Sequence, residues 1–223
     1  RTRIRNLPWP LYMTITHPWR ILFPKKFGTP LTQSIAIIIE GYQRSANSFS
    51  VNAFLLLQGD DPDLKVAYHL HAPTHMRQTL KLKVPILIVM RDPDGAILSQ
   101  LMKAPFRDVR TAYKGYIDFY NCILPLLNKV VVATYDQVTT DFGALIEKLN
   151  DDYNTEFRLF EHTENNVQDV FPRLDDHVLK HHDVVRVDER KVAWPTRQKQ
   201  NLKNVYQSII IQEWLKMIRL EAD

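Results

Sequence analysis

The sequence predicts a three-layer α/β/α domain around a central parallel sheet, and three observations carry that expectation. Short, continuously apolar, β-branched runs recur at Ile35–Ile39, Pro85–Met90 and Val130–Tyr135, as expected of strands covered on both faces. Helical periodicity fills the stretches between them. Strand and helix alternate along the chain rather than segregate, which favours parallel pairing through helical crossovers. With 223 residues, 45% hydrophobic and 24% charged, the chain has the size and composition of one globular domain.

The elements follow in order. Residues 1–34 hold Pro8, Pro10, Pro18, Pro24 and Pro30 together with Trp9 and Trp19; so much proline forbids a continuous helix or a central strand. This arm reads as an extended segment laying its aromatics on the body, with contact to an anionic membrane surface as the alternative. The single domain then spans 35–223. A first strand, Ala36–Glu40, ends in a polar loop at Gly41–Asn47, and Ser48–Leu57 follows as a helix with Val51, Phe54, Leu55 and Leu57 on its apolar side. Lys65–Leu70 is a second strand, Thr74–Leu82 a short helix, and Pro85–Met90 a third strand. Pro93–Lys103 is helical, and Arg107–Leu127 is a longer helix with Tyr113, Tyr116, Ile117, Tyr120 and Leu124 at helical spacing. Val130–Tyr135 is the fourth strand and Phe142–Leu149 a further helix. Residues 151–195 carry no assigned element, and Arg197–Leu220 closes the chain as a helix with Leu202, Val205, Ile209, Trp214 and Ile218 along one stripe.

Composition excludes several classes. No apolar run is long enough for a membrane-crossing helix, and the single cysteine, Cys122, excludes an internal disulfide and a Cys-based zinc site. The net charge of +4 comes from the arm, where Arg1, Arg3, Arg5, Arg20, Lys25 and Lys26 face no acid, so the body is slightly acidic. A nucleic-acid binder would carry basic stripes on its folded elements, which this body lacks. The chain begins at Arg1, so targeting is not read from its start.

In parallel sheets ligands lie beyond the carboxyl ends of the strands, which directs attention to the residues after Glu40, Leu70, Met90 and Tyr135. The first strand end, Gly41 to Phe49, has the placement of an anion cradle, where backbone N–H groups and a helix N-terminus meet a phosphate. Against the nucleotide-binding pattern G-x-x-x-x-G-K-[ST], Gly41 and Ser48 fit the ends, Ala46 replaces the second glycine and Asn47 the lysine, while a cation stands inside the loop at Arg44. The third strand end places Arg91 where a ligand is expected and Ser99 on the next helix. A guanidinium fork with a hydroxyl suits a phosphate monoester. Ordinary pairing of Arg91 with Asp92 or Asp94 is the bland alternative.

These two segments, with His71 between them, resemble the sulfotransferases that use 3′-phosphoadenosine 5′-phosphosulfate. The family's first loop, Y-P-[KR]-S-G-[TS]-[TS]-[WF], corresponds here to Tyr42-Gln43-Arg44-Ser45-Ala46-Asn47-Ser48-Phe49. Its R-[ND]-x-x-[DE]-x-x-x-S segment corresponds to Arg91, Asp92 and Ser99, with Gly95 where an acid is usual. Its K-T-H-L-P corresponds to His69-Leu70-His71-Ala72-Pro73, and its Y-E-D to Tyr135-Asp136-Gln137. The resemblance covers about residues 35–150 and implies a P-loop-like fold. It further implies that Gln43, Arg44, Ser45, Ala46, Asn47 and Ser48 bind the 5′-phosphosulfate, that Arg91 and Ser99 bind the 3′-phosphate, and that Phe49 and Tyr135 flank the adenine. The family's closing R-K-G segment has no match; Arg197 and Lys199 stand as substitutes.

The implied reaction is in-line sulfuryl transfer to a hydroxyl or amine of a glycan or small metabolite, without a metal. Arg44 and the loop N–H groups would stabilise the departing 5′-phosphate, and His71, with His69 beside it, would take the acceptor's proton. Of the cluster His69, His71 and His75, metal binding is the alternative, but a third ligand is not evident. The size and the lack of an anchor fit a cytoplasmic enzyme of bacterial type. Two other readings stay open. A P-loop kinase predicts a lysine at 47 and a Mg²⁺-binding acid, and a non-catalytic nucleotide-binding module is favoured by Ala46 and Asn47.

Overall fold

The computed structural model describes residues 35–59, 61, 63–68, 80, 83–103 and 109–178. Strand β1 (Ile35–Gly41) leads through the polar loop into helix α1 (Asn47–Leu57), and β2 (Lys65–Tyr68) and β3 (Ile86–Met90) follow. Helices α2 (Pro93–Lys103) and α3 (Val109–Ile123) come next, then a 3₁₀ turn over Leu124–Lys129 and strand β4 (Val131–Thr134). The described chain closes with α4 (Tyr135–Thr140), α5 (Phe142–Tyr153) and α6 (Glu164–Val178). The four strands form one parallel sheet in the order β2-β1-β3-β4, so the α/β class expected from the alternation holds. No described helix is long and apolar enough to cross a membrane.

Both faces of the sheet are buried, which is why its strands read as unbroken apolar runs. Alternate side chains serve different cores. Ile38, Ile86, Ile88 and Met90 pack with Ala96, Ile97, Ala112, Tyr113, Tyr116 and Tyr120 from α2 and α3. Ile37, Ile39, Leu87 and Val89 pack with Val51 and Phe54 of α1 and Phe142, Ile146 and Leu149 of α5. Each fully buried isoleucine or leucine contributes about 1.5–3 kcal/mol of apolar burial.

Several boundaries differ from expectation for local reasons. The long helix expected over Arg107–Leu127 stops at Ile123 and tightens into the 3₁₀ turn, where Pro125 removes an N–H that an α-helix would need. The fourth strand ends at Thr134 rather than Tyr135, because Thr134 caps α4: its hydroxyl accepts from Gln137 N while the Gln137 side chain accepts from Thr134 N. Helix α6, in the stretch left unassigned, packs on α1. The arm 1–34, residues 69 and 70 of the second strand, the Thr74–Leu82 helix apart from Leu80, and the closing helix Arg197–Leu220 lie outside the described residues.

The strand order creates the crevice. β1 and β3 are neighbours in register, Gly41 beside Val89. The helix after β1 packs on one face and the helix after β3 on the other. The two connections therefore diverge at the carboxyl edge, the place where open parallel sheets take ligands.

Candidate anion site at the carboxyl edge

The loop after β1 is held in an unusual shape. Arg44 and Ala46 both have left-handed backbone, at φ 70° and 68°, a region that disfavours a side chain by about 1–2 kcal/mol. A left-handed residue directly before a helix turns successive N–H groups into one concavity. Ala46 occupies that position and caps α1 without any side-chain hydrogen bond. The positive end of an 11-residue helix thus opens onto the crevice without a side-chain cap. Asn47, where the nucleotide-binding pattern has lysine, is buried and clamps the loop: Nδ2 donates to Gly41 O and Tyr42 O, each at 3.1 Å. Gly41 is required by contact, since a Cβ there would meet Val89 O at 2.1 Å. Ser45 Oγ and Asn47 Oδ1 are buried with no partner among the described residues.

Arg91 leaves β3 beside this loop, and its Nη1 lies 3.4 Å from Arg44 O. The Arg91 guanidinium sits over the Tyr135 ring, 4.4 Å from its centroid, a cation–π contact. Register explains the meeting, because Met90 pairs with Thr134 and the next residues are Arg91 and Tyr135. Asp92 spends its Oδ1 on the Gly95 N–H at 2.6 Å, starting α2, and reaches Arg91 Nε only at 3.9 Å. A Cβ at Gly95 would lie 2.6 Å from Asp92 Oδ2, a contact that the exposed carboxylate can relieve by turning.

Arg44 is the main departure from expectation. Its Nε donates to Ser99 Oγ, on the helix after β3, at 2.9 Å. The expected division, with Arg44 at one anion and Arg91 with Ser99 at another, becomes a single cluster of Arg44, Arg91, Ser99 and Tyr135. Burial first, and then the neighbouring Arg91 charge, push the Arg44 guanidinium below its ordinary value, while Tyr135 acts in the opposite sense. Among the described residues no salt bridge joins a carboxylate to Arg44. Arg44 thus stands beside a second guanidinium whose carboxylate contact is Asp92 at 3.9 Å, and two neighbouring like charges so lightly neutralised favour an anion.

The other expected site residues divide. Gln43 is half-buried and accepts from the Gln100 amide. Ser48 is the second residue of α1 and half-buried. Phe49 is 8% exposed, and its ring packs in a cluster with Phe142, Phe160, His162 and Phe171. His69, His71, His75, Arg197 and Lys199 lie outside the described residues. Among the described residues no group of three His, Cys, Asp or Glu is placed to hold a metal ion.

The sequence reading missed the supports under the loops. Tyr116 and Tyr120, read as parts of an apolar stripe, use their hydroxyls at the strand ends. Tyr116 OH donates to Arg91 O at 2.8 Å; Tyr120 OH donates to Val89 O at 3.1 Å and accepts from Tyr42 N at 3.3 Å. Tyr42 OH shares its proton between Gln100 Oε1 at 2.7 Å and Ala112 O at 2.8 Å. The signal was in the residue type: tyrosine at core spacing brings a hydroxyl that must find a partner. Compared with models of known protein families and with curated protein sequences, the chain matches none.

Proposed function

We propose that this chain is a P-loop-like sulfotransferase that binds 3′-phosphoadenosine 5′-phosphosulfate across the crevice between β1 and β3. The observation that supports it most is the convergence of Arg44, Arg91 and Ser99 beside a helix N-terminus that lacks a side-chain cap. A terminal phosphate carries up to two negative charges and three acceptor oxygens, which suits two guanidiniums and a hydroxyl. In this reading those three side chains hold the 3′-phosphate. The left-handed turn at Ala46 and the first turn of α1 face the 5′-phosphosulfate, with Ser45 Oγ as a further donor. Tyr135 lies against Arg91 at the adenine side.

The co-substrate supplies the activated sulfuryl group, and in-line transfer breaks its bond to the 5′-phosphate oxygen as a bond forms to an acceptor hydroxyl or amine. The loop N–H groups stabilise the charge left on the departing phosphate. His71 receives the acceptor's proton as general base. A kinase is disfavoured because Asn47 spends its amide on loop carbonyls, where a lysine would grip a terminal phosphate. That same clamp favours, as second reading, a non-catalytic nucleotide-binding module.

A thermal-shift series tests the proposal. 3′-Phosphoadenosine 5′-phosphate raises Tm more than adenosine 5′-phosphosulfate, which lacks the 3′-phosphate, and more than ATP with Mg²⁺. Equal shifts sink the assignment. With a competent acceptor, His71→Ala abolishes transfer while keeping the shift; binding without turnover on any acceptor favours the module.

A further inference from the structure

Gln100 occupies a position the fold does not need to be polar. It lies on α2 among Ala96, Ile97 and Leu101, all core residues, and is itself 3% exposed. A leucine or methionine would satisfy the helical pattern there, whereas a buried amide is unfavourable unless both its ends are used. Both are used, and both on the loop after β1: Oε1 accepts from Tyr42 OH at 2.7 Å, and Nε2 donates to Gln43 Oε1.

The next residue pair outward is Arg44 with Ser99, joined at 2.9 Å. Gln43–Gln100 and Arg44–Ser99 are therefore consecutive rungs between the same two segments. An anion bound by Arg44 and Ser99 competes for the donors and acceptors of the outer rung. The inner rung is part-buried and shares no atom with the Arg44–Ser99 pair, so it keeps the segments together while the outer one opens.

We propose that Gln100 is a positioning residue that sets the spacing between the loop after β1 and helix α2, and so determines the preference for a nucleotide carrying a 3′-phosphate. The inference rests on the nucleotide reading given above. A ligand held by one segment alone is indifferent to that spacing; one held by both is not, because small misplacement of converging groups is expensive.

Calorimetric titration of the full chain and of Gln100→Met with adenosine 3′,5′-bisphosphate and with AMP separates the cases. Methionine keeps the length and flexibility of the side chain and removes the hydrogen bonds. The variant binds AMP within about twofold of the parent and the bisphosphate roughly tenfold more weakly. Tyr42→Phe, which removes the bond to Oε1 from the other side, shifts the preference in the same direction and serves if Gln100→Met does not fold. Retention of the parent's preference in the variant, or equal weakening for both ligands, overturns the role of Gln100 and leaves the nucleotide reading standing. A parent chain without preference for the bisphosphate over AMP overturns both.

Discussion

The two faces of the sheet are packed with different aromatics. Tyrosines predominate on the α2/α3 side, where Tyr42, Tyr113, Tyr116 and Tyr120 pack with Phe119; Tyr42 and Tyr116 are in edge contact at 5.1 Å and Tyr116 and Tyr120 lie at 4.7 Å. Phe49, Phe54, Phe142 and Phe160 fill the α1/α5 side, with Phe142 and Phe160 at 5.9 Å. Both sets exclude water equally well. Tyr116 and Tyr120 carry hydroxyls to the carboxyl edge, where they meet Val89 O, Arg91 O and Tyr42 N at the ends of the strands. The phenylalanine face supplies volume; the tyrosine face supplies volume and also fixes the backbone from which the arginines project.

If that division is right, substitutions on the two faces separate stability from binding. The largest effect is expected for Phe142→Ala. It leaves a cavity at a fully buried position and lowers stability by about 3–5 kcal/mol, while the folded fraction binds adenosine 3′,5′-bisphosphate with unchanged affinity. Denaturant unfolding and titration below the transition check the two halves. Tyr120→Phe is smaller in stability and larger in binding. It deletes the bond to Val89 O and leaves Tyr42 N without that acceptor, a loss of about 1–3 kcal/mol accompanied by weaker nucleotide binding. A Tyr120→Phe protein that binds as before would erase the contrast between the faces.

Ala46→Gly sharpens it from the loop itself. Glycine relieves the left-handed backbone at φ 68° and raises stability by about 0.5–1 kcal/mol, read as a higher denaturant midpoint. The smallest effect is in pH. Burial pushes the Tyr113 hydroxyl up on one face and the Tyr153 hydroxyl up to about 12 beside the other. A phenol whose folded value exceeds its unfolded value of about 10 favours the folded state while protonated. That contribution is complete below pH of about 10 and is lost as pH rises towards about 12. Tyrosinate absorbance and unfolding followed together should therefore move upward in pH as one event; free titration of Tyr153 well before unfolding contradicts its burial.

Much of this was legible before any coordinates. β1 and β3 are continuous apolar runs because both faces are covered, and the helix Pro93–Lys103 matched at both ends. The polar loop between a buried strand and a helix was visible from the run Gly41–Asn47. Where Arg44 goes was not visible. Its direction depends on α2 lying beside the loop, which follows from the crossing of the chain to the far side of β1, and no local pattern encodes that. At Phe49 motif position and core periodicity coincide, and the packing of its ring against Phe142 and Phe160 was not readable from either.

The amino-acid order alone marked the sheet strands and the helices α1, α2 and α5, because burial on two faces and helical spacing leave periodic marks in a linear text. It also determined the chemistry on offer: two arginines and a serine near strand ends. Only the tertiary structure decided that these meet. Strand order β2-β1-β3-β4 puts the ends of β1, β3 and β4 side by side, and long-range hydrogen bonds from Tyr120 and Gln100 then hold the connecting segments within reach of one another. Such contacts join residues far apart in sequence, so their energies act only once the chain has closed on itself.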